Sequence, residues 1–273
     1  MSEQVKERTS ERYDLLWGRN MVGVTPAEYH YDRVSRLLPP GHLTGRVLDA
    51  GCGQGIDTLR MAERSGCPVV GVDLSNGGVH RARARTQHLP NVLVVRADLE
   101  RLPLSAAQFN FVYSYGVLHH LPHPDQALAE LVRVLKPGGL LALYLYEDFE
   151  SRNGPERAML WLVNQLRRVT VRMPPRLLYG LCTVLSPLVY FTLTVPARIL
   201  ARVPGGERLS RRIPYHHSRR PLGLVGDLYD RFATPIERRY SRTGVQQWLA
   251  GAGLAEVNVV PLRGWVGYGR KPL

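Results

Sequence analysis

The residues of this chain that could do chemistry are glycines, aspartates and histidines placed where strands are expected to end. Residues 47–58 read Val-Leu-Asp-Ala-Gly-Cys-Gly-Gln-Gly-Ile-Asp-Thr, so Asp49 stands two residues before Gly51, with Gly53 and Gly55 following. Glycines at this spacing open a strand-to-helix turn in which a ligand can approach backbone that a Cβ would block. The helix start beyond them offers oriented N–H groups. Dinucleotide sites use a related G-x-G-x-x-G, but here the spacing is G-x-G-x-G and the later position is Thr58. Asp73, in Gly-Val-Asp-Leu-Ser, closes the next apolar run, and an acid there can accept the hydroxyls of a ribose. Asp98, in Arg-Ala-Asp-Leu, follows a third run and can accept from an exocyclic amine such as adenine's. Any one of these acids could be a helix cap. All three at consecutive strand ends point to the carboxyl edge of one sheet.

The elements that must hold them follow from hydrophobic periodicity. The first forty residues read as helical and end at Pro39-Pro40-Gly41. Strands are expected at 46–50, 69–72, 92–96, 109–113 and 140–146, with helices after Gly55, at 76–88 and at 124–135. Lys136-Pro137-Gly138-Gly139 stops the last of these helices. Strands alternating with helices imply right-handed crossovers and a mostly parallel, doubly wound sheet. The alternation lapses over 150–235 and resumes with a helix at 243–251 and strands at 255–261 and 265–269. A tight Arg263-Gly264 turn makes that last pair antiparallel. The expected organisation is therefore helices and ligand-binding core over 1–149, an Arg-rich helical cap inserted after strand five over 150–235, and a helix with a strand hairpin completing the core over 236–273.

These stretches resemble the class I S-adenosylmethionine-dependent methyltransferases, in particular the small-molecule group similar to quinone and sterol methyltransferases. Val47–Gly55, Gly71–Ser75, Arg96–Phe109, Ser114–His120 (Ser-Tyr-Gly-Val-Leu-His-His) and Arg133–Gly139 (Arg-Val-Leu-Lys-Pro-Gly-Gly) carry the likeness in the family's order, over about residues 43–146. The resemblance implies a Rossmann-like α/β fold, a seven-stranded mostly parallel sheet with an antiparallel last strand. It also implies S-adenosylmethionine as cofactor. Asp49, Gly51 and Gly53 would then approach its methionine portion, Asp73 and Leu74 the ribose, and Asp98 with Leu99 the adenine. Ser114 and Tyr115 would lie beside the sulfonium.

Methyl transfer is an in-line displacement on an activated donor, so positioning dominates and a base is needed only for a poorly acidic acceptor. His119 and His120 are candidate bases, since imidazole titrates near physiological pH; pocket wall is the simpler role for both. Tyr13 and His30, with Tyr29, are lid or substrate candidates on the N-terminal helices. Glu147 and Asp148 follow strand five, where a carboxylate could orient an acceptor, although a solvated loop accounts for them as well. His216 and His217 could line a pocket or lie at the surface. No spacing of His, Cys, Asp and Glu supports a metal site.

Cys52, Cys67 and Cys182 form neither a CxxC pair nor an even set, which favours a reducing compartment. No apolar leader is visible, so the cytoplasm is expected. The net charge of +13 is concentrated: residues 151–220 hold thirteen arginines against Glu156 and Glu207, a local surplus of +11. A nucleic-acid methyltransferase is disfavoured, because no Asn/Asp-Pro-Pro-Tyr/Phe motif follows strand four and aromatics are sparse in the basic segment. Residues 177–197 lack any charged side chain and reach the length of a membrane-spanning helix. Pro187 and Pro196 are expected to break it, which favours a cap roofing a pocket for a small, apolar or anionic acceptor. The alternatives are a surface peripheral to an anionic membrane and a membrane-resident lipid or quinone acceptor.

Overall fold

The computed structural model describes residues 2–18, 29–150, 152–210, 213–215 and 218–273. His216 and His217 lie outside them. In chain order the elements are α1 (Ser2–Gly18), α2 (His30–Ser35), β1 (Val47–Ala50), α3 (Ile56–Ser65), β2 (Val69–Asp73), α4 (Asn76–Thr86), β3 (Val92–Arg96), β4 (Phe109–Tyr115), α5 (Pro124–Val134) and β5 (Leu135–Leu145). There follow α6 (Gly154–Thr170), α7 (Pro175–Val189), α8 (Val195–Leu200), α9 (Glu207–Ser210), α10 (Val225–Ala233), α11 (Arg242–Gly251), β6 (Ala255–Pro261) and β7 (Trp265–Arg270). Two compact units emerge: one comprises the described residues up to Leu160 together with Pro235–Leu273, the other Trp161–Thr234.

The first unit is built on a seven-stranded sheet of order β3-β2-β1-β4-β5-β7-β6. The pairs from β3 to β5 are parallel, and β7 runs antiparallel to both β5 and β6. Side chains alternate across it. On one face Leu48, Val112, Leu141 and Leu143 pack with Leu128 and Leu131 of α5 and Val245 and Leu249 of α11. On the other, Val47, Phe111, Tyr113 and Ala142 pack with Tyr31 and Val34 of α2 and Met61 of α3. With helices on both faces, central strands must be apolar throughout, and every residue of β1 is buried. The order reverses between β1 and β4, which opens a crevice at their carboxyl ends.

Two expectations need correction. Lys136-Pro137-Gly138-Gly139 does not separate helix from strand: β5 already begins at Leu135, opposite Phe109, with a bulge before Phe111. Finally, Pro187 and Pro196 do not break the apolar helix. Pro175–Leu200 is one helical run of 26 residues, in which Pro187 lies inside α7 and Pro196 in the first turn of α8. A π turn over 190–194 joins the two helices, and such a widened turn absorbs the donor and the space that a proline takes from the ladder.

Lys271, just beyond β7, reaches back to α5 and donates from Nζ to the carbonyls of Val132 and Leu135, each at 2.8 Å. These are among the orphan acceptors at a helix C-terminus, where a cation is also favoured by the dipole. Lys271→Met should therefore lower stability by about 1 kcal/mol, read as a fall in the urea midpoint at unchanged slope. No shift in midpoint would show that water replaces the ammonium without loss.

Candidate functional site

The glycine turn leaves β1 at the crevice. Gly51 and Gly53 have φ of 83° and 51°, in the left-handed region. A Cβ on Gly51 would lie 2.3 Å from a Val117 methyl, so the turn seats directly against the chain leaving β4. A Cβ on Gly53 would reach instead toward the Trp17 indole, 3.5 Å away. The N-terminal helix thus lies against the turn, and Tyr13 stacks on Trp17 at 6.0 Å.

Asp73 clamps the turn. Its Oδ2 accepts the Gly53 N–H at 2.8 Å, while Oδ1 accepts the Ser75 N–H at 2.8 Å and the Ser75 hydroxyl at 2.6 Å. Burial raises its pKa, and the bonds from Ser75 and Gly53 oppose that rise. A carboxylate has about four acceptor directions, of which these donors fill three, leaving one on Oδ2. Ser75 caps α4 by accepting the Gly78 N–H, and Asp14 of α1 accepts the adjoining Gly77 N–H at 2.8 Å. Leu74 is part-buried beside Asp73, its carbonyl held by Arg96.

Asp98 is engaged from α1 as well. Lys6 Nζ lies 2.6 Å from both Asp98 Oδ2 and Glu100 Oε2. Burial lowers the Lys6 pKa, but the bonds to the two carboxylates outweigh it and the net shift is upward. Glu100 is buried and accepts the His123 N–H. Leu99 points into the hydrophobic core between α5 and the sheet.

Leu99 was expected at the adenine, and two more expected ligand-facing groups are turned inward with it. Asp49 is 2% exposed and accepts the Thr58 hydroxyl at 2.5 Å. Burial, reinforced by the charge of Asp57, pushes its pKa up to about 8. Ser114 is buried with its hydroxyl donated to the Ala50 carbonyl at 2.7 Å, a tie between β4 and β1. Both residues build the joint beneath the ligand edge.

At the ends of β4 and β5 a row of rings forms. His30 stacks on Tyr115 at 4.3 Å, Tyr115 on Tyr144 at 4.2 Å, and Tyr146 lies 4.0 Å from His119. Tyr144 and Tyr146 meet edge to face. Asp57 fixes the row's near end by accepting the Tyr31 N–H and the Tyr113 hydroxyl, with His30 Nδ1 at 3.7 Å. His119 and His120 are buried on a short 3-10 turn. His120 Nδ1 lies 2.7 Å from the Ile236 carbonyl, which only accepts; Nδ1 therefore carries a proton there. Glu147 departs from the solvated loop reading. It is buried, and the Arg152 guanidinium holds both its oxygens at 2.8 Å, since a buried carboxylate must be paired. Among the described residues no group of three His, Cys, Asp or Glu side chains could hold a metal ion.

Glycines on a switch-point turn, an acid clamping them and a second acid beyond β3 thus lie at the carboxyl edge of the sheet. Comparison with known proteins then gives the family. A methyltransferase-domain model matches residues 48–143. An uncharacterized methyltransferase of Mycobacterium bovis is 34% identical over 137 residues, which cover 50% of this chain and 68% of that protein. The 27-O-demethylrifamycin SV methyltransferase of Amycolatopsis mediterranei is 36% identical over 143 residues, 48% of this chain and 52% of that one. A chain of the complex between the Haloferax volcanii Trm112 methyltransferase activator and a methyltransferase shares the fold, with a TM-score of 0.57 at 16% identity over 97% of this chain and 98% of that chain. The protein belongs to the methyltransferase family. It spans about half the length, or less, of the first curated relatives it matches.

The buried Asp49 carboxyl gives a test by pH. The folded state keeps its proton to about pH 8, whereas the unfolded state releases it in the ordinary carboxylate range. Its contribution is thus fully present below that range and lost as pH climbs toward 8. Wild-type stability should fall between pH 4 and 8 by at most about 1.4 kcal/mol per pH unit from this group. Asp49→Asn, which still accepts from Thr58, should flatten that part of the profile. An unchanged profile in urea titrations would place the titrating proton elsewhere.

Proposed function

We infer that the protein transfers a methyl group from S-adenosylmethionine to a small acceptor that is apolar, anionic or both. The observation that carries this reading is the glycine turn clamped by Asp73 at the switch point of the sheet. The residues present fit the cofactor: Gly51 and Gly53 hold the left-handed turn at the crevice, Asp73 keeps one acceptor direction for a ribose hydroxyl, and Asp98 lies beyond β3 for an adenine amine. Trp17 and Tyr13 would cover the turn from α1. When bound, S-adenosylmethionine supplies an activated methyl, its C–S bond breaking as the acceptor's electron pair arrives.

The chain's own work is then to position and to exclude water. The row from His30 through Tyr115, Tyr144 and Tyr146 to His119 offers ring faces and edges to an apolar or planar acceptor. The Ile236 carbonyl fixes the orientation of the His120 ring, the group we assign to take a proton from an acceptor hydroxyl. With Arg152 neutralising it, Glu147 is assigned to the scaffold and not to the acceptor. That a relative is named for methylating demethylrifamycin SV supports a small-molecule acceptor, and a membrane-resident lipid or quinone belongs to the same chemical class.

Calorimetric titration with S-adenosylmethionine should show binding that Asp73→Ala weakens roughly tenfold or more, since a buried acceptor and the turn are lost together. Affinity equal to wild type would remove the ribose assignment. With methyl-labelled donor and a total metabolite and lipid extract as acceptor pool, His120→Ala should lose roughly a hundredfold or more in label transfer at unchanged donor affinity. Full transfer by the variant would leave His120 as wall alone.

A further inference from the structure

In the second unit the run from α7 into α8 is turned inside out. Along α7 and into α8 the inward positions are Leu178, Cys182, Ser186, Tyr190, Thr194 and Ala197, all buried and about one turn apart. Ser186 and Thr194 are wholly buried, and their hydroxyls are satisfied by the Pro221 carbonyl at 2.6 Å and the Tyr215 carbonyl at 2.9 Å. The outward stripe is Leu177, Leu181, Val184, Leu188 and Phe191, at alternating spacings of four and three. Val184 is 75% exposed, Phe191 61% and Leu177 58%. On α6, Leu162, Leu166 and Val169 are likewise exposed along one side. A helix on the surface of a water-soluble domain puts its leucines inward and its hydroxyls outward. Here the more apolar face is the one that meets solvent, over a length beyond the scattered apolar residues of ordinary surfaces.

Charge says what covers it. Residues 161–206 contain six arginines and no acidic side chain. Arg167 is consumed internally by the carbonyls of Arg231 and Thr234. The other five are exposed and bracket the stripe, Arg168, Arg172 and Arg176 before it, Arg198 and Arg202 after it. An aliphatic stripe between guanidinium groups matches a lipid leaflet, which offers acyl chains and phosphates side by side. A protein partner would have to supply that same pairing with acids of its own.

We propose that the outward faces of α6 and α7 dock on an anionic membrane, with the helices lying in the plane of the leaflet. The run Pro175–Leu200 is long and apolar enough to cross a bilayer. Its inward hydroxyls, however, are bonded to the unit's own backbone, and Tyr179 of α7 packs edge to face on Tyr229 of α10 at 5.5 Å. Crossing would strip those partners in a medium that cannot replace them; lying flat keeps them. The surface stands apart from the catalytic reading, because its test reads association with lipid and not methyl transfer.

The full chain is to be sedimented with extruded vesicles of phosphatidylcholine alone and of phosphatidylcholine mixed equally with phosphatidylglycerol. Wild type should partition to the anionic vesicles, less so as salt rises. Val184→Asp combined with Leu188→Asp should lower partitioning roughly tenfold or more, with donor affinity unchanged as the check on folding. Arg172→Gln combined with Arg176→Gln should weaken it and flatten its salt dependence. Absence of wild-type association, or association undiminished by the aspartates, overturns the proposal. So does a wild-type dimer, by light scattering, that the aspartates dissolve, which would give the face to a second copy. Retention on vesicles after alkaline carbonate extraction would overturn the in-plane arrangement in favour of a span.

Discussion

The Asp73 carboxylate joins two pieces of chain that have no other reason to meet at fixed distances. Through Gly53 it holds the glycine turn, and through Ser75 it holds the start of α4, where Asp14 of α1 takes the Gly77 amide. Charged acceptors of N–H groups make stronger bonds than neutral ones, so one side chain at the end of β2 fixes the floor and one wall of the crevice, and a second carboxylate, Asp14, ties its cover to the same helix start. Burial raises the cost of its charge, and three donors offset that cost. The same carboxylate can then serve a ligand only through the acceptor direction left over. Scaffold and recognition compete for one group, which is why the geometry of the turn and ligand affinity should not be separable at this residue.

Much of this was legible in the sequence because the signals are local. A run such as Val47–Ala50 followed by three glycines has few foldings, and the mostly parallel sheet and the antiparallel hairpin followed from alternation and one tight turn. Asp49 and Ser114 misled because strand-end position says where a residue lies, not which way its oxygen turns. Their orientation depends on Thr58 and on the Ala50 carbonyl, and Thr58 was visible as the residue filling the place of a third glycine. Lys6, Asp14 and Trp17 gave no comparable signal. Their roles arise from how α1 lies across α4 and the turn, a contact between segments more than sixty residues apart. Glu147 likewise reads as a loop acid until Arg152 is seen around it.

The apolar stretch of the second unit shows the same limit from the other side. Two prolines in a helical pattern argue for a break, yet a π turn after the first lets the helix continue. With continuity restored, the arrangement of its two faces becomes the informative feature. Hydroxyl-bearing side chains are bonded within the unit, and leucines and a phenylalanine face outward between arginines. Composition alone gives only a charge excess; the distribution around the helix is what the proposal of a lipid surface rests on.

The central claim, that the crevice above the clamped glycine turn receives S-adenosylmethionine, is tested most directly by hydrogen–deuterium exchange of the full chain with and without saturating donor. Peptides covering residues 47–58 and 71–79, together with α1, should exchange more slowly when the donor is present, while α5, α11 and the hairpin β6–β7 keep their rates. Donor binding without protection of those peptides, or protection confined to other parts of the sheet, would contradict the account.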